Sequence, residues 1–135
     1  MQQYTAQIRM KLPSLNDYIR ECRGDRYGAN QTKRKLEMII RQYIEHLPTF
    51  RKPIEMEFRW IEDSKRRDAD NVAFAKKFIL DAMVKAGKLP DDNLDHVQAF
   101  RDTVEIGKPA GVIVTIREHE GGLIIKKAKK GGATW

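Results

Sequence analysis

The sequence predicts an α+β domain: a small mixed, mostly antiparallel sheet with two helices packed on one face, in the order β-α-β-α-β-β. Three observations carry that expectation. Apolar and polar residues alternate in two separate stretches, Tyr4–Leu12 and Ile54–Trp60, which is the period-two signature of half-buried strands. Two longer stretches, after Asn30 and after Asn71, place apolar residues at three-four spacing, as helices with one buried face do. Two further β-like runs, Val97–Ile106 and Gly111–Arg117, complete the pattern. Helices segregated to one side of a sheet follow from this order, leaving the other sheet face to solvent or to a partner subunit.

In the first strand Tyr4, Ala6, Ile8, Met10 and Leu12 alternate with Thr5, Gln7, Arg9 and Lys11. Pro13 then interrupts it, and the polar, Arg-rich segment to Ala29, broken by Gly24 and Gly28, reads as a loop with at most one helical turn. Asn30 is a candidate cap for a helix to about Leu47, with Leu36, Ile39, Ile40, Tyr43 and Leu47 on its buried face. Pro48 and Pro53 bracket its exit. The second strand alternates Ile54, Met56, Phe58 and Trp60 with Glu55, Glu57 and Arg59.

The second helix is expected from Asn71 to Gly87, with Val72, Ala75, Ile79, Ala82, Met83 and Ala86 as its stripe and Gly87 as its stop. Gly107-Lys108-Pro109 reads as a hairpin connection between the last two strands. Leu123-Ile124-Ile125 follows, with Leu123–Lys127 able to pair as an edge strand, and residues 126–135 are expected to be a basic, flexible tail.

Composition narrows the class. The chain has 135 residues, enough for one domain. Lys and Arg exceed Asp and Glu by 26 to 19, for a net charge of +7 and a pI near 9.6. That balance favours an acidic partner, with nucleic acid ahead of anionic membrane. A single cysteine, Cys22, excludes an intrachain disulfide and a four-sulfur zinc site, and suits a reducing compartment. Without an apolar run long enough to span a bilayer or a signal-peptide core at Met1-Gln2-Gln3-Tyr4, a soluble cytoplasmic protein is expected.

The chemistry concentrates in Arg66-Arg67-Asp68-Ala69-Asp70-Asn71 and, beyond the second helix, Asp91-Asp92. Aspartates at i and i+2 in extended backbone share one face about 6–7 Å apart, so both carboxylates can meet one hard cation. Clustered carboxylates repel unless a cation is present. A bound Mg²⁺ would also polarise a phosphate oxygen and lower the pKa of an attacking water, and a nearby lysine would stabilise the developing charge. The helix between the two acidic groups is about 24 Å long, so Asp92 approaches Asp70 only if the chain doubles back after Pro90.

Ordinary readings compete. Asp-Ala-Asp-Asn also suits a loop followed by a helix cap, and Asp91-Asp92-Asn93 an ordinary polar turn. Asp91, Asn93, Asp95 and Asp102 match places one, three, five and twelve of a calcium loop, but His96 stands where glycine is needed. His46, His96 and His119 lack ligand spacing, and no Gly-rich phosphate loop or serine-nucleophile elbow is present.

Basic residues cluster around Arg20, Arg23, Arg26, Lys33, Arg34 and Lys35, at Lys65, Arg66 and Arg67, and along the second helix at Lys76, Lys77, Lys85 and Lys88. Arg66 and Arg67, beside carboxylates, are placed to hold a phosphate. Tyr18 and Tyr27 interleave with the early arginines as stacking candidates, though Tyr18 equally suits core packing.

Taken together, Arg-Arg-Asp68-Ala-Asp70-Asn71, Lys77-Phe-Ile-Leu-Asp81-Ala-Met, Asp91-Asp92 and the early Pro13-Ser14-Leu15-Asn16-Asp17-Tyr18 resemble the RusA-type Holliday-junction resolvases. These are small Mg²⁺-dependent endonucleases of bacteria and their prophages that act in recombination and repair. The resemblance runs from about Tyr4 to Ile116 and implies a single nuclease domain over residues 1–125. By position it implies catalytic roles for Asp68, Asp70, Lys77 and Asp92, with Asp68, Asp70 and Asp92 holding Mg²⁺ (or Mn²⁺). Asn16, Arg20, Arg23, Lys33, Arg66 and Arg67 are the expected DNA contacts. It also implies a homodimer that nicks two strands of a four-way junction symmetrically. The stretch from Asp70 to the lysine is about one turn longer than in shorter family members. On a regular helix Lys77 points away from the apolar stripe while Lys76 sits at its flank, so both lysines remain candidates, as do Asp91 and Asp92.

Overall fold

A computed structural model describes residues 2–121 of the chain. Four strands form one mixed sheet: β1 (Gln3–Ile8), β2 (Ile54–Glu62), β3 (Val97–Ile106) and β4 (Gly111–Glu118). Four helical segments accompany them: α1 (Leu15–Gly24), α2 (Arg26–Ile44), α3 (Ala69–Ala73) and α4 (Lys76–Lys85). The α+β class and the mixed sheet are as expected, but the order of elements is β-α-α-β-α-α-β-β. The segments Leu123–Lys127 and 126–135, expected as an edge strand and a tail, lie outside the described residues.

The two additional helical segments have local causes. Ser14 and Asp17 form a reciprocal capping box, each side chain accepting from the other's backbone N–H at 3.1 Å. This starts α1 where a loop was expected. Asp25 then caps α2 through the Tyr27 N–H, so that helix begins before Asn30. Gly28 does not break it: a side chain there would meet the Asp25 carboxylate at 2.6 Å, and glycine leaves that room. The expected helix from Asn71 to Gly87 is divided at Phe74–Ala75. There Ala75, Lys77 and Phe78 each donate to the carbonyl three residues back, at 3.1 Å. Such tightened turns rotate the following side chains relative to a continuous helix. Gly87, at φ 74°, ends α4 as expected, with Lys88 N–H on the Met83 carbonyl and Gly87 N–H on that of Val84.

Strand order is β1-β4-β2-β3. β2 and β3 run parallel, joined by the α3–α4 crossover, whereas β4 is antiparallel to both β1 and β2. The expected β3–β4 hairpin is therefore absent: the Gly107–Ala110 connection carries the chain past the end of β2, with Gly107 N–H bonded to the Glu62 carbonyl. β4 has buried Val112, Val114 and Ile116 on one face, which suits a central strand, while β3 is exposed from Phe100 to Ile106. Burial thus selects β4 for the interior of the sheet and leaves β3 at its edge.

Among the described residues one hydrophobic core lies between one sheet face and the helices. Ala6, Ile8, Ile54, Met56, Phe58, Trp60, Val112, Val114 and Ile116 meet Leu36, Ile40 and Ile44 of α2 and Val72, Phe78, Ile79, Ala82 and Met83 from the α3–α4 crossover. The opposite face presents Glu55, Glu57, Arg59 and Arg117 among others, with Arg117 bonded to Glu57. Its polarity suits water, not a packed partner. No described helix is long and apolar enough to cross a membrane.

Candidate active site

Asp68 occupies the N-cap position of α3 in extended backbone (φ −73°, ψ 152°), but its side chain caps nothing. Asp70 sits in the first turn. Both are exposed, and neither carboxylate has a hydrogen bond or ion pair among the described residues. The cap explanation of Asp68 thus lacks the bond that would justify it, leaving two solvated hard oxygen donors at the start of the crossover.

Lys77 and Asp92 come together from opposite ends of α4 and its following loop. Lys77 Nζ donates to Asp92 Oδ2 at 2.7 Å and lies 3.2 Å from Asp81 Oδ1, one turn along the helix. The chain does double back after Pro90, far enough to return Asp92 to the helix surface. Hydrogen bonding to Lys77 holds the Asp92 carboxyl below the usual carboxylate range, and the same bond raises Lys77 above the ordinary lysine value. Asp91 is occupied locally, accepting from Asp92 N–H and Asn93 Nδ2. Of the two aspartates, Asp92 is the one that faces the lysine.

Lys76 and Lys77 are the first two residues of α4 and face different partners. Lys76 turns to β3, where it pairs with Asp102 at 2.5 Å and lies over the rings of Phe100 and Phe58. Asp102 also accepts from Trp60 Nε1 at 2.9 Å. It sits within β3 as an intramolecular acceptor, not in a calcium loop. The members of this Lys76–Asp102–Trp60 group lie on three elements, so no local spacing in the sequence connects them. Asp81 stands within the Lys77-Phe-Ile-Leu-Asp81 motif, and its i,i+4 position from Lys77 is the local signal of this helix-surface pair.

The expected DNA contacts divide. Asn16, Arg20 and Arg23 are exposed on α1, with Arg20 at 3.7 Å from Asp17. Arg66 is exposed beside Lys11, Asp63, Ser64 and Lys108, which line an open cleft. Lys33 is tied to Asp81 at 3.1 Å and so joins the Lys77–Asp92 pair through a shared carboxylate. Arg67 turns inward: it donates to the Leu12 carbonyl at 2.8 Å and approaches Glu62 at 3.4 Å, with both side chains largely buried. It anchors the segment leading into Asp68 to the start of the chain and to β2. Tyr18 packs against Phe74 and Phe78, and burial raises its hydroxyl pKa, whereas Tyr27 is exposed.

Among the described residues, no three His, Cys, Asp or Glu side chains are grouped to hold a metal ion. Asp68, Asp70 and Asp92 therefore do not form a ready-made three-carboxylate cage. The donor chemistry still suits Mg²⁺, which commonly takes one or two carboxylates and completes its shell with water and substrate phosphate. Asp68 and Asp70 are free for that role, while Asp92 would first have to share its oxygen with Lys77. A scan of protein-family models and a search of curated proteins find no match to this chain.

Proposed function

We propose that this protein is a structure-selective endodeoxyribonuclease of the cytoplasm that resolves four-way DNA junctions by paired, Mg²⁺-dependent nicks, acting as a homodimer. The observation that carries the reading is the Lys77–Asp92 contact, because it joins two residues that the motif resemblance had assigned to one site. The two unpaired carboxylates of Asp68 and Asp70 on the preceding crossover segment add to it.

In this reading Asp68 and Asp70 offer the oxygen ligands, and Asp92 adds a third. When bound, Mg²⁺ (or Mn²⁺) supplies an activated water and a polarised phosphoryl oxygen. Lys77 brings a permanent positive charge, held in place by Asp92 and Asp81, to stabilise the extra charge on phosphate as the bond to the attacking oxygen forms. Arg66 and the exposed Asn16, Arg20 and Arg23 take the phosphodiester backbone. Arg67 acts through position, keeping the Asp68–Asp70 segment attached to the sheet.

The decisive experiment is Mg²⁺-dependent cleavage of a four-way junction by wild type and Asp70→Asn. Loss of nicking with junction binding intact supports the reading. A second reading is a non-catalytic DNA-binding protein, favoured by the absence of a three-carboxylate group among the described residues; wild type that binds the junction and never cuts it would establish that alternative. Preference for flaps or single strands over junctions, compared at one salt concentration, would keep the chemistry and change the substrate.

A further inference from the structure

Between α2 and α4 a groove of about 290 Å³ opens to the surface, lined by Arg34, Glu37, Met38 and Arg41 from α2 and by Ala82 and Lys85 from α4. The four α2 residues stand at i, i+3, i+4 and i+7, so they share one helix face. Met38 is 69% exposed in the middle of that face, and Ala82 beside it is buried. Arg34 and Arg41 are exposed on either side of Met38, about 10 Å apart along the helix axis at about 1.5 Å per residue.

The charges of the groove are not balanced. Its one acid, Glu37, is 4% exposed and is held by Lys85 across the gap and by Lys33 at 3.8 Å. That carboxylate is therefore answered inside the protomer, and its bond to Lys85 links the two walls before any ligand arrives, which lowers the ordering cost of binding. Among the described residues no carboxylate engages Arg34 or Arg41. The groove thus presents an apolar floor between two cations.

Size and charge together select the occupant. Pockets that enclose a whole small ligand measure about 300–1,000 Å³. This groove is smaller and open, so it suits a few side chains of a larger partner. A phosphodiester backbone would meet the arginines but has no apolar surface for Met38. A helix laid along the groove meets both demands: apolar residues at its own i+3 and i+4 cover the floor, and acids at i and i+7 repeat the spacing of the arginines.

We propose that the α2–α4 groove binds an acidic amphipathic helix of another protein, with its apolar residues over Met38 and Ala82 and its carboxylates on Arg34 and Arg41. The groove shares no residue with the Asp68–Asp70 segment or the Lys77–Asp92 pair. The inference goes beyond the proposed nuclease and holds whether or not the protein cuts DNA.

The probe is a side-chain-stapled helical peptide containing Glu-Ala-Ala-Leu-Leu-Ala-Ala-Glu, titrated into the isotope-labelled full chain and followed by amide NMR shifts. Shifts should concentrate at Arg34, Met38, Arg41 and Lys85. Arg34→Glu combined with Arg41→Glu should weaken binding at least tenfold, and so should Met38→Ser, with folding checked by circular dichroism. The same peptide with lysine in place of both glutamates should bind at least tenfold more weakly. No shifts at millimolar peptide, equal binding of the lysine peptide, or unchanged affinity in the arginine-reversed variant overturns the proposal. Movement of the same amides with protein concentration alone would make the occupant a second copy, and movement with duplex DNA but not with peptide would make it nucleic acid; either overturns it. Junction cleavage is measured without the peptide, so its failure bears on the nuclease alone.

Discussion

Lys77 Nζ and Asp92 Oδ2 lie 2.7 Å apart across fifteen residues of sequence. Two departures from regular helix flank the segment that carries it: the tightened turns at Phe74–Ala75, before α4, and Gly87 at φ 74°, after which the chain returns along the helix.

This pair should be visible by pH. Asp92 has a depressed pKa, so its contribution to stability is present above 3.8 and lost as pH falls through its lower folded value. Lys77 has a raised pKa, so its contribution is present below 10.5 and lost as pH rises through its higher folded value. Carboxyl-carbon NMR should find Asp92 titrating below 3.8, and Lys77→Met should move that midpoint upward. An unchanged midpoint would mean the ion pair is not populated in solution.

Removing the Lys77 charge should also lower the rate of junction cleavage by about 10²–10³-fold, as for loss of one preorganised donor. Affinity for the uncut junction should change little. Single-turnover cleavage beside equilibrium binding checks this, and equal losses in both would reassign Lys77 to DNA binding.

Arg66 and Arg67, adjacent in sequence, should give opposite phenotypes. Arg67→Ala leaves the largely buried Glu62 carboxylate without its cation and should cost about 3 kcal/mol in urea unfolding. Arg66→Ala should leave stability within about 0.5 kcal/mol and reduce the salt slope of junction binding by about 1. Similar unfolding midpoints for the two variants would contradict the inward placement of Arg67.

Asp102 should matter for stability through Trp60, which is 2% exposed and donates its only indole N–H to that carboxylate. Asp102→Ala should destabilise the fold by about 1–3 kcal/mol. Asp102→Asn, which keeps an acceptor while losing the charge opposite Lys76, should recover part of that. Thermal unfolding of both variants provides the comparison; a neutral Ala variant would show that Trp60 finds another partner.

Gly87→Ala tests the return of the chain. A positive φ disfavours any side chain there, so about 1–2 kcal/mol of stability should be lost. If the loop shifts to relieve the strain, the depressed Asp92 titration should move upward in the same variant.

What the sequence determined by itself was local. Alternation in Ile54–Trp60 encodes a strand, the stripe through Ala82 and Met83 encodes a helix face, and Gly87 encodes a stop, because neighbours along the chain suffice to express each. The acidic and basic motif residues were legible for the same reason, as was the α+β class. The Ser14–Asp17 pair that caps α1 is also local in sequence, although it lies in a polar segment where Gly24 and Gly28 suggest a loop. Tertiary structure alone decided that β4 enters between β1 and β2, that Arg67 turns inward while Arg66 stays outside, and that Lys77 meets Asp92 while Lys76 meets Asp102. These outcomes depend on which surfaces exclude water together, and segments far apart in the chain settle that competition only when all of them pack at once.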